Sequence, residues 1–180
     1  MKVLVTAASK YGATQGIAQA IGDALIDKGI DATVIPAEKV GTIEGYDAVI
    51  VGSAVYLGHW LDHAKALVNR FKVGLSTRPV WLFSSGPVGD PSRRIVQKMG
   101  ADPVDIPDIL AVTKARGHRV FAGKIDGKNL TLPRRAMLLV FRGIEGDFRD
   151  WTAVKAWAGE IAEALQTGSL TVVPEGKATG

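Results

Sequence analysis

Apolar positions along the chain fall into two alternating rhythms. Short unbroken runs, such as "DAVIVG" at 47–52 and "PVWLFS" at 79–84, have the character of strands buried on both faces of a parallel sheet. Between them apolar residues recur every three or four positions, as Ile17, Ile21 and Leu25 do, which is the stripe of an amphipathic helix. The pattern predicts strands over 3–6, 31–35, 47–52, 79–84 and 118–125. It predicts helices over 14–28, ended by Gly29, and over 61–71, with Leu61, Ala64, Leu67, Val68 and Phe71 on the inner face. Asp90 and Pro91 have the N-cap and first-turn chemistry that opens a further helix. A last helix from Asp150 turns Val154, Trp157, Ile161 and Leu165 inward, and Trp81, Trp151 and Trp157 fall at expected core positions. Strands alternating with helices in this way imply a doubly wound parallel α/β sheet. The reading is one domain over 1–166, an insertion over 126–149 containing "LPRRAMLLVFRG", and a polar tail over 167–180.

In such a sheet, ligands bind beyond the carboxyl ends of the strands, at the switch in strand order. The loops that matter are therefore "AASKYGAT", "SAVYLGHW" and "SGPVGDP". The first has what a phosphate needs. A helix N-terminus leaves backbone N–H groups free and carries positive partial charge. Ser9 and Thr14 add hydroxyls, Gly12 allows a tight backbone path, and Lys10 adds a formal charge. An ordinary strand-to-helix turn with a hydroxyl cap is the competing reading. The loop lacks the Walker pattern and the dinucleotide fingerprint, and the chain has no Gly-x-Ser-x-Gly elbow.

The pattern Ser9-Lys10-Tyr11-Gly12-Ala13-Thr14 after a first strand resembles the phosphate loop of flavodoxins. The basic residue after the first hydroxyl departs from common flavodoxins. It is similar to the quinone-dependent protoporphyrinogen IX dehydrogenase branch of flavodoxin-like enzymes, as are "GSAVYLGHW" (52–60), "VFAGKID" (120–126), the Arg-rich insertion and "DFRDWTAVKAW" (147–157). The resemblance implies a flavodoxin-like fold with five parallel strands in the order 2-1-3-4-5, and FMN as cofactor. Ser9 to Thr14 would hold its phosphate. Ala54, Val55, Tyr56, Leu57, Gly58 and His59 would line the isoalloxazine, with Tyr56 as a ring neighbour. Ser84, Ser85, Gly86, Pro87, Val88 and Gly89 would meet the far edge of the ring. The third loop has no aromatic residue, which implies an outer flavin face open to a stacking substrate. The activity implied is porphyrinogen dehydrogenation with electrons passed through FMN to a quinone. The alternatives are an electron carrier of the flavodoxin type and a flavodoxin-like binding module without FMN.

Composition narrows the setting. The chain has 180 residues, 47% of them hydrophobic and 22% charged, as in ordinary globular domains. It has no cysteine, so disulfides, thiolate metal sites and cysteine nucleophiles are excluded. No apolar run has the length of a membrane span and no signal-peptide pattern opens the sequence, which suits a cytoplasmic location. The net charge of +4 is local: between Lys114 and Arg142 eight Lys or Arg face one Asp, a net +7 that leaves about −3 for the rest. A carrier that docks on basic reductases is usually acidic, so this balance disfavours the carrier reading. Arg134, Arg135 and Arg142 edge the apolar "AMLLVF". They suit the carboxylates of a porphyrinogen or another anionic small molecule. They equally suit a quinone site, or peripheral contact of 133–142 with the inner membrane face. A solvated face is the plain alternative. No nucleic-acid motif is present. His59 and His63 have helical spacing but no evident third ligand, so no metal is expected.

Overall fold

The computed structural model describes residues 1–86, 102–125 and 146–168. Strand β1 (Lys2–Ala8) leads into helix α1 (Ala13–Asp27), then β2 (Asp31–Pro36) and a single 3-10 turn (Ala37–Lys39). Strand β3 (Ala48–Tyr56) turns back into a short β4 (His59–Trp60), followed by α2 (Asp62–Ser76) and β5 (Val80–Gly86). After them come α3 (Ile106–Thr113), β6 (His118–Ala122), β7 (Lys124–Ile125), β8 (Gly146–Asp147) and α4 (Trp151–Gln166).

The main sheet runs β2-β1-β3-β5-β6 with all four pairings parallel. Counting only these five strands gives the order 2-1-3-4-5, that of a flavodoxin-like doubly wound sheet. Because side chains alternate across a strand, each strand feeds two cores. Val3, Val5 and Ala7 of β1 pack with Ile17, Ile21 and Leu25 of α1 and with Val154, Trp157 and Ile161 of α4. Leu4 and Ala8 face the other way, with Ala64, Leu67 and Val68 of α2 and Ile106 and Ile109 of α3. The first core is centred on three rings meeting edge to face. Phe121 lies 5.6 Å from Trp157, and Phe83 lies 6.1 Å from Phe121 and 6.3 Å from Trp157. Gly52 makes room for Phe83, since a Cβ at Gly52 would fall on the ring.

Several elements differ from the sequence pattern. Strands β3 and β5 run further than expected, to Tyr56 and Gly86. The expected fifth strand over 118–125 is two strands broken at Gly123. There the backbone passes close to Gly86: Gly123 N–H donates to the Gly86 carbonyl at 2.8 Å, and a Cβ at Gly123 would sit 2.7 Å from that oxygen. Helix α3, β4 and β8 carry no sequence expectation. Trp151 is a correction: it is 39% exposed, at the start of α4, with Arg149 stacked 4.4 Å from its ring centre. The helix expected from Asp90, most of the insertion and most of the tail lie outside the described residues. None of the described helices is long and apolar enough to cross a membrane.

Candidate functional site

The register of the sheet brings the three loops together. Ala8 stands opposite Ser53, Ala54 opposite Ser85 and Gly86 opposite Ala122, so β1, β3 and β5 end side by side at one edge. Chain order reverses between β1 and β3, which makes this edge the switch point.

At the first loop, Gly12 caps α1 with φ 83°, the left-handed region, and its carbonyl accepts the Gly16 N–H at 2.9 Å. No described side chain caps this helix, so the other N–H groups of its first turn are left for an anion. Thr14 is buried at the start of the helix, Ser9 is half-buried, and Lys10, Tyr11 and Gly12 are exposed. Lys10 Nζ lies 5.6 Å from the Tyr11 ring centre and 5.7 Å from that of Tyr56, so one cation spans the first and second loops. The same helix end is braced from the segment just ahead of α4. Arg149 pairs with Asp147 through two nitrogens and donates from Nη1 to the Ala13 carbonyl at 3.4 Å. Gly16 gives it room: a Cβ there would lie 2.7 Å from Nη1. Pairing with Asp147 raises the Arg149 pKa, and the Arg149 guanidinium in turn lowers that of Asp147.

The second loop is a hairpin. Ala54, Val55 and Tyr56 belong to β3; Leu57 and Gly58 make the turn at φ 52° and 80°; His59 begins β4. A two-residue turn with both φ positive matches the twist of the flanking strands. A leucine rarely adopts that conformation, and Leu57 is also 84% exposed, so its backbone is held rather than preferred. The holding contacts are visible. Ser53 Oγ donates to the Ala54 carbonyl at 2.8 Å and accepts the Leu61 N–H at 2.9 Å. Val104 N–H donates to the Gly58 carbonyl at 2.9 Å. Asp105 accepts the Trp60 N–H at 2.7 Å and lies 3.2 Å from His59 Nδ1. Burial pushes the Asp105 pKa up; the Trp60 N–H, His59 and the nearby Lys65 outweigh it, and the net direction is down.

At the third loop Ser84, Ser85 and Gly86 are strand residues, all buried. The Ser84 hydroxyl turns into the protein, where Trp60 Nε1 donates to it at 2.8 Å. That hydroxyl is engaged within the protein, which leaves the backbone of 84–86 at the end of β5. Pro87, Val88 and Gly89 lie outside the described residues, as do Arg134, Arg135 and Arg142. His59 and His63 do not share a helical turn: the first is in β4 and paired with Asp105, the second exposed in α2. No group of three metal-binding side chains occurs among the described residues. Ser53, Trp60, Asp105 and Arg149 are the positioning residues that sequence reasoning missed.

A family profile described as flavodoxin domain matches residues 4–152. The chain belongs to the flavodoxin domain family. Solved flavodoxin-family structures share its fold. The chain is 20% identical to a flavodoxin from the domain Archaea, with a TM-score of 0.63 over 92% of this chain and 99% of that one. A cysteine-to-serine mutant of the flavodoxin from Pseudomonas aeruginosa gives 15% identity and a TM-score of 0.61, over 92% and 99%. The rubredoxin oxygen:oxidoreductase of Desulfovibrio gigas gives 17% and 0.61, over 92% of this chain but 36% of that longer protein.

Proposed function

We propose that this flavodoxin-family domain binds FMN and acts as an oxidoreductase of the protoporphyrinogen dehydrogenase type, passing electrons to a quinone. The observation that carries the FMN part is the first turn of α1, without a side-chain cap, behind the left-handed Gly12, beside a hairpin fixed by Ser53, Trp60 and Asp105. The residues fit the cofactor. Backbone N–H groups of the first turn, with Ser9 and Thr14, would hold the phosphate. Tyr56 and the Leu57–Gly58 turn would border the ring, and Lys10 offers positive charge between them. When bound, FMN supplies the electron-transfer chemistry, and the protein contributes orientation and electrostatics. No general acid or base is assigned.

The porphyrinogen and quinone assignments rest on the motif resemblance and on the basic balance of the chain. The segment 133–142 is proposed to meet the anionic substrate or the membrane face, with Arg134, Arg135 and Arg142 as its charges. A carrier role is the second reading, supported by the flavodoxins among its structural relatives.

The purified protein is expected to be yellow and to release FMN on denaturation; a colourless protein that takes up no added FMN overturns the cofactor assignment. Oxidation of protoporphyrinogen with a quinone acceptor supports the enzyme reading. Reduction by a flavodoxin reductase with no porphyrinogen turnover favours the carrier. Lys10→Glu combined with Thr14→Val should abolish most FMN occupancy, and unchanged occupancy places the phosphate elsewhere.

A further inference from the structure

The strands and loops that meet at the switch point carry almost no formal charge. Lys10 is the only Asp, Glu, Lys or Arg over 3–22, and neither 48–61 nor 80–86 contains one. Two described carboxylates bind to the elements of this edge, and both are engaged. Asp105 accepts the Trp60 N–H and lies 3.2 Å from His59 Nδ1, and Asp147 pairs with Arg149. Lys10 is thus the one ammonium of the first two loops, set among backbone, rings and hydroxyls.

Its ammonium has a defined place. Lys10 Nζ lies 5.6 Å from the Tyr11 ring centre and 5.7 Å from that of Tyr56. A cation within about 6 Å of a ring centre is attracted by the negative face of the ring. Tyr56 stands opposite His59 in the hairpin that borders the isoalloxazine under the FMN reading. The backbone N–H groups of the first turn of α1, beyond Gly12, suit a phosphate without help from Lys10. The ammonium therefore stands by the hairpin. Charge makes this position matter. An oxidised isoalloxazine is uncharged, and two electrons with one proton convert it to an anionic reduced form. A cation nearby stabilises the second state over the first.

We propose that Lys10 serves the ring of FMN rather than its phosphate: placed between Tyr11 and Tyr56, its ammonium stabilises negative charge on the reduced cofactor and raises the potential at which FMN accepts an electron pair. This rests on the FMN reading of the site. Lys10 is exposed, so water and salt screen it and the effect is modest. The charge should favour reduced over oxidised FMN by about threefold to tenfold, which is about 15–30 mV for a two-electron couple. A raised potential suits acceptance of an electron pair from a substrate better than delivery of electrons by a low-potential carrier.

The test is a comparison of the FMN-loaded wild type with Lys10→Met and Lys10→Arg, titrated with dithionite against a reference dye above neutral pH. The potential of Lys10→Met should fall by about 15–30 mV, and the fall should shrink as salt is added. Lys10→Arg keeps the charge and should keep the potential. The proteins compared share every other charge of the chain, so the difference reports Lys10 alone. Dissociation constants for oxidised FMN and for riboflavin, which lacks the phosphate, should keep their wild-type ratio in Lys10→Met. In the cofactor-free protein, the Tyr11 and Tyr56 ring resonances should move in Lys10→Met, by proton NMR. A potential that ignores Lys10→Met overturns the proposal, and so do unmoved Tyr56 resonances. A loss of FMN affinity with riboflavin affinity kept overturns it too, since Lys10 is then a phosphate ligand. Lys10→Gln takes the place of Lys10→Met should the latter not fold. A wild type that binds no FMN refutes the cofactor reading and this proposal with it; FMN bound at a potential indifferent to Lys10 refutes this proposal alone.

Discussion

Gly52 lies in the middle of β3, and its replacement by alanine is expected to destabilise the protein through a single contact. An added Cβ would stand 2.5 Å from Phe83 Cε2 and closer still to Cε1 and Cζ. The ring cannot yield easily, because Phe83 is fully buried and wedged between Phe121 and Trp157. Overpacking of this kind costs about 1–3 kcal/mol. Alanine also restricts the unfolded chain more than glycine does, which returns about 0.5–1 kcal/mol. The clash wins, because three atoms of a pinned ring are involved, and the net loss is about 2 kcal/mol. For a chain of this length that lowers Tm by about 4–8 °C, measurable by differential scanning calorimetry. The cause is then isolated by a cycle with Phe83→Leu, which removes the ring atoms that clash. The double variant should be more stable than the sum of the single effects by about 1 kcal/mol or more. A Gly52→Ala protein that melts at the wild-type temperature refutes the reasoning, and so does strict additivity in the cycle.

Gly12→Ala should fold, since nothing lies within 4 Å of its added Cβ, but the left-handed φ of 83° then costs about 1–2 kcal/mol. FMN affinity measured by fluorescence quenching should fall by about tenfold as the loop relaxes. Asp105 has a folded-state pKa below its unfolded value, so its contribution is present above about pH 4 and is lost as pH falls through the folded value. Asp105→Asn lacks that contribution, and its acid-unfolding curve should be shallower than the wild type's. Asp150 Oδ1 accepts the Ala153 N–H at 3.0 Å as the cap of α4, and Asp150→Ala should cost about 1 kcal/mol by urea denaturation.

The sheet was legible because its evidence is local. "DAVIVG" and "PVWLFS" can be buried on two faces only in the interior of a parallel sheet, and the four-residue spacing in α1 and α4 identifies their inner faces. The first loop was legible for the same reason: Ser9 to Thr14 are contiguous. The Leu57–Gly58 hairpin was not. Its first turn residue is a leucine, which local preference puts at negative φ, and it is Val104 and Asp105, nearly fifty residues on, that hold the turn. The partnership of Trp60, Ser84 and His118 was equally hidden, since it depends on the register that sets Leu82 opposite His118. Trp151 misled for the opposite reason. Its helical phase leaves it outside the buried face of α4, where Arg149, two residues earlier, stacks on its ring. Part of the basic segment also has plain structural work, with Arg116 over Trp81 and Arg119 on Glu160.

The β7–β8 pair has an architectural consequence. Lys124 is joined to Asp147 and Ile125 to Gly146, so positions more than twenty residues apart in sequence share one antiparallel rung. Gly123, just ahead of that rung, donates its N–H to the Gly86 carbonyl at 2.8 Å and accepts the Phe148 N–H at 3.2 Å. The rung therefore ties the lead-in to α4 to the far end of β5, and a change at Gly123 is felt at both.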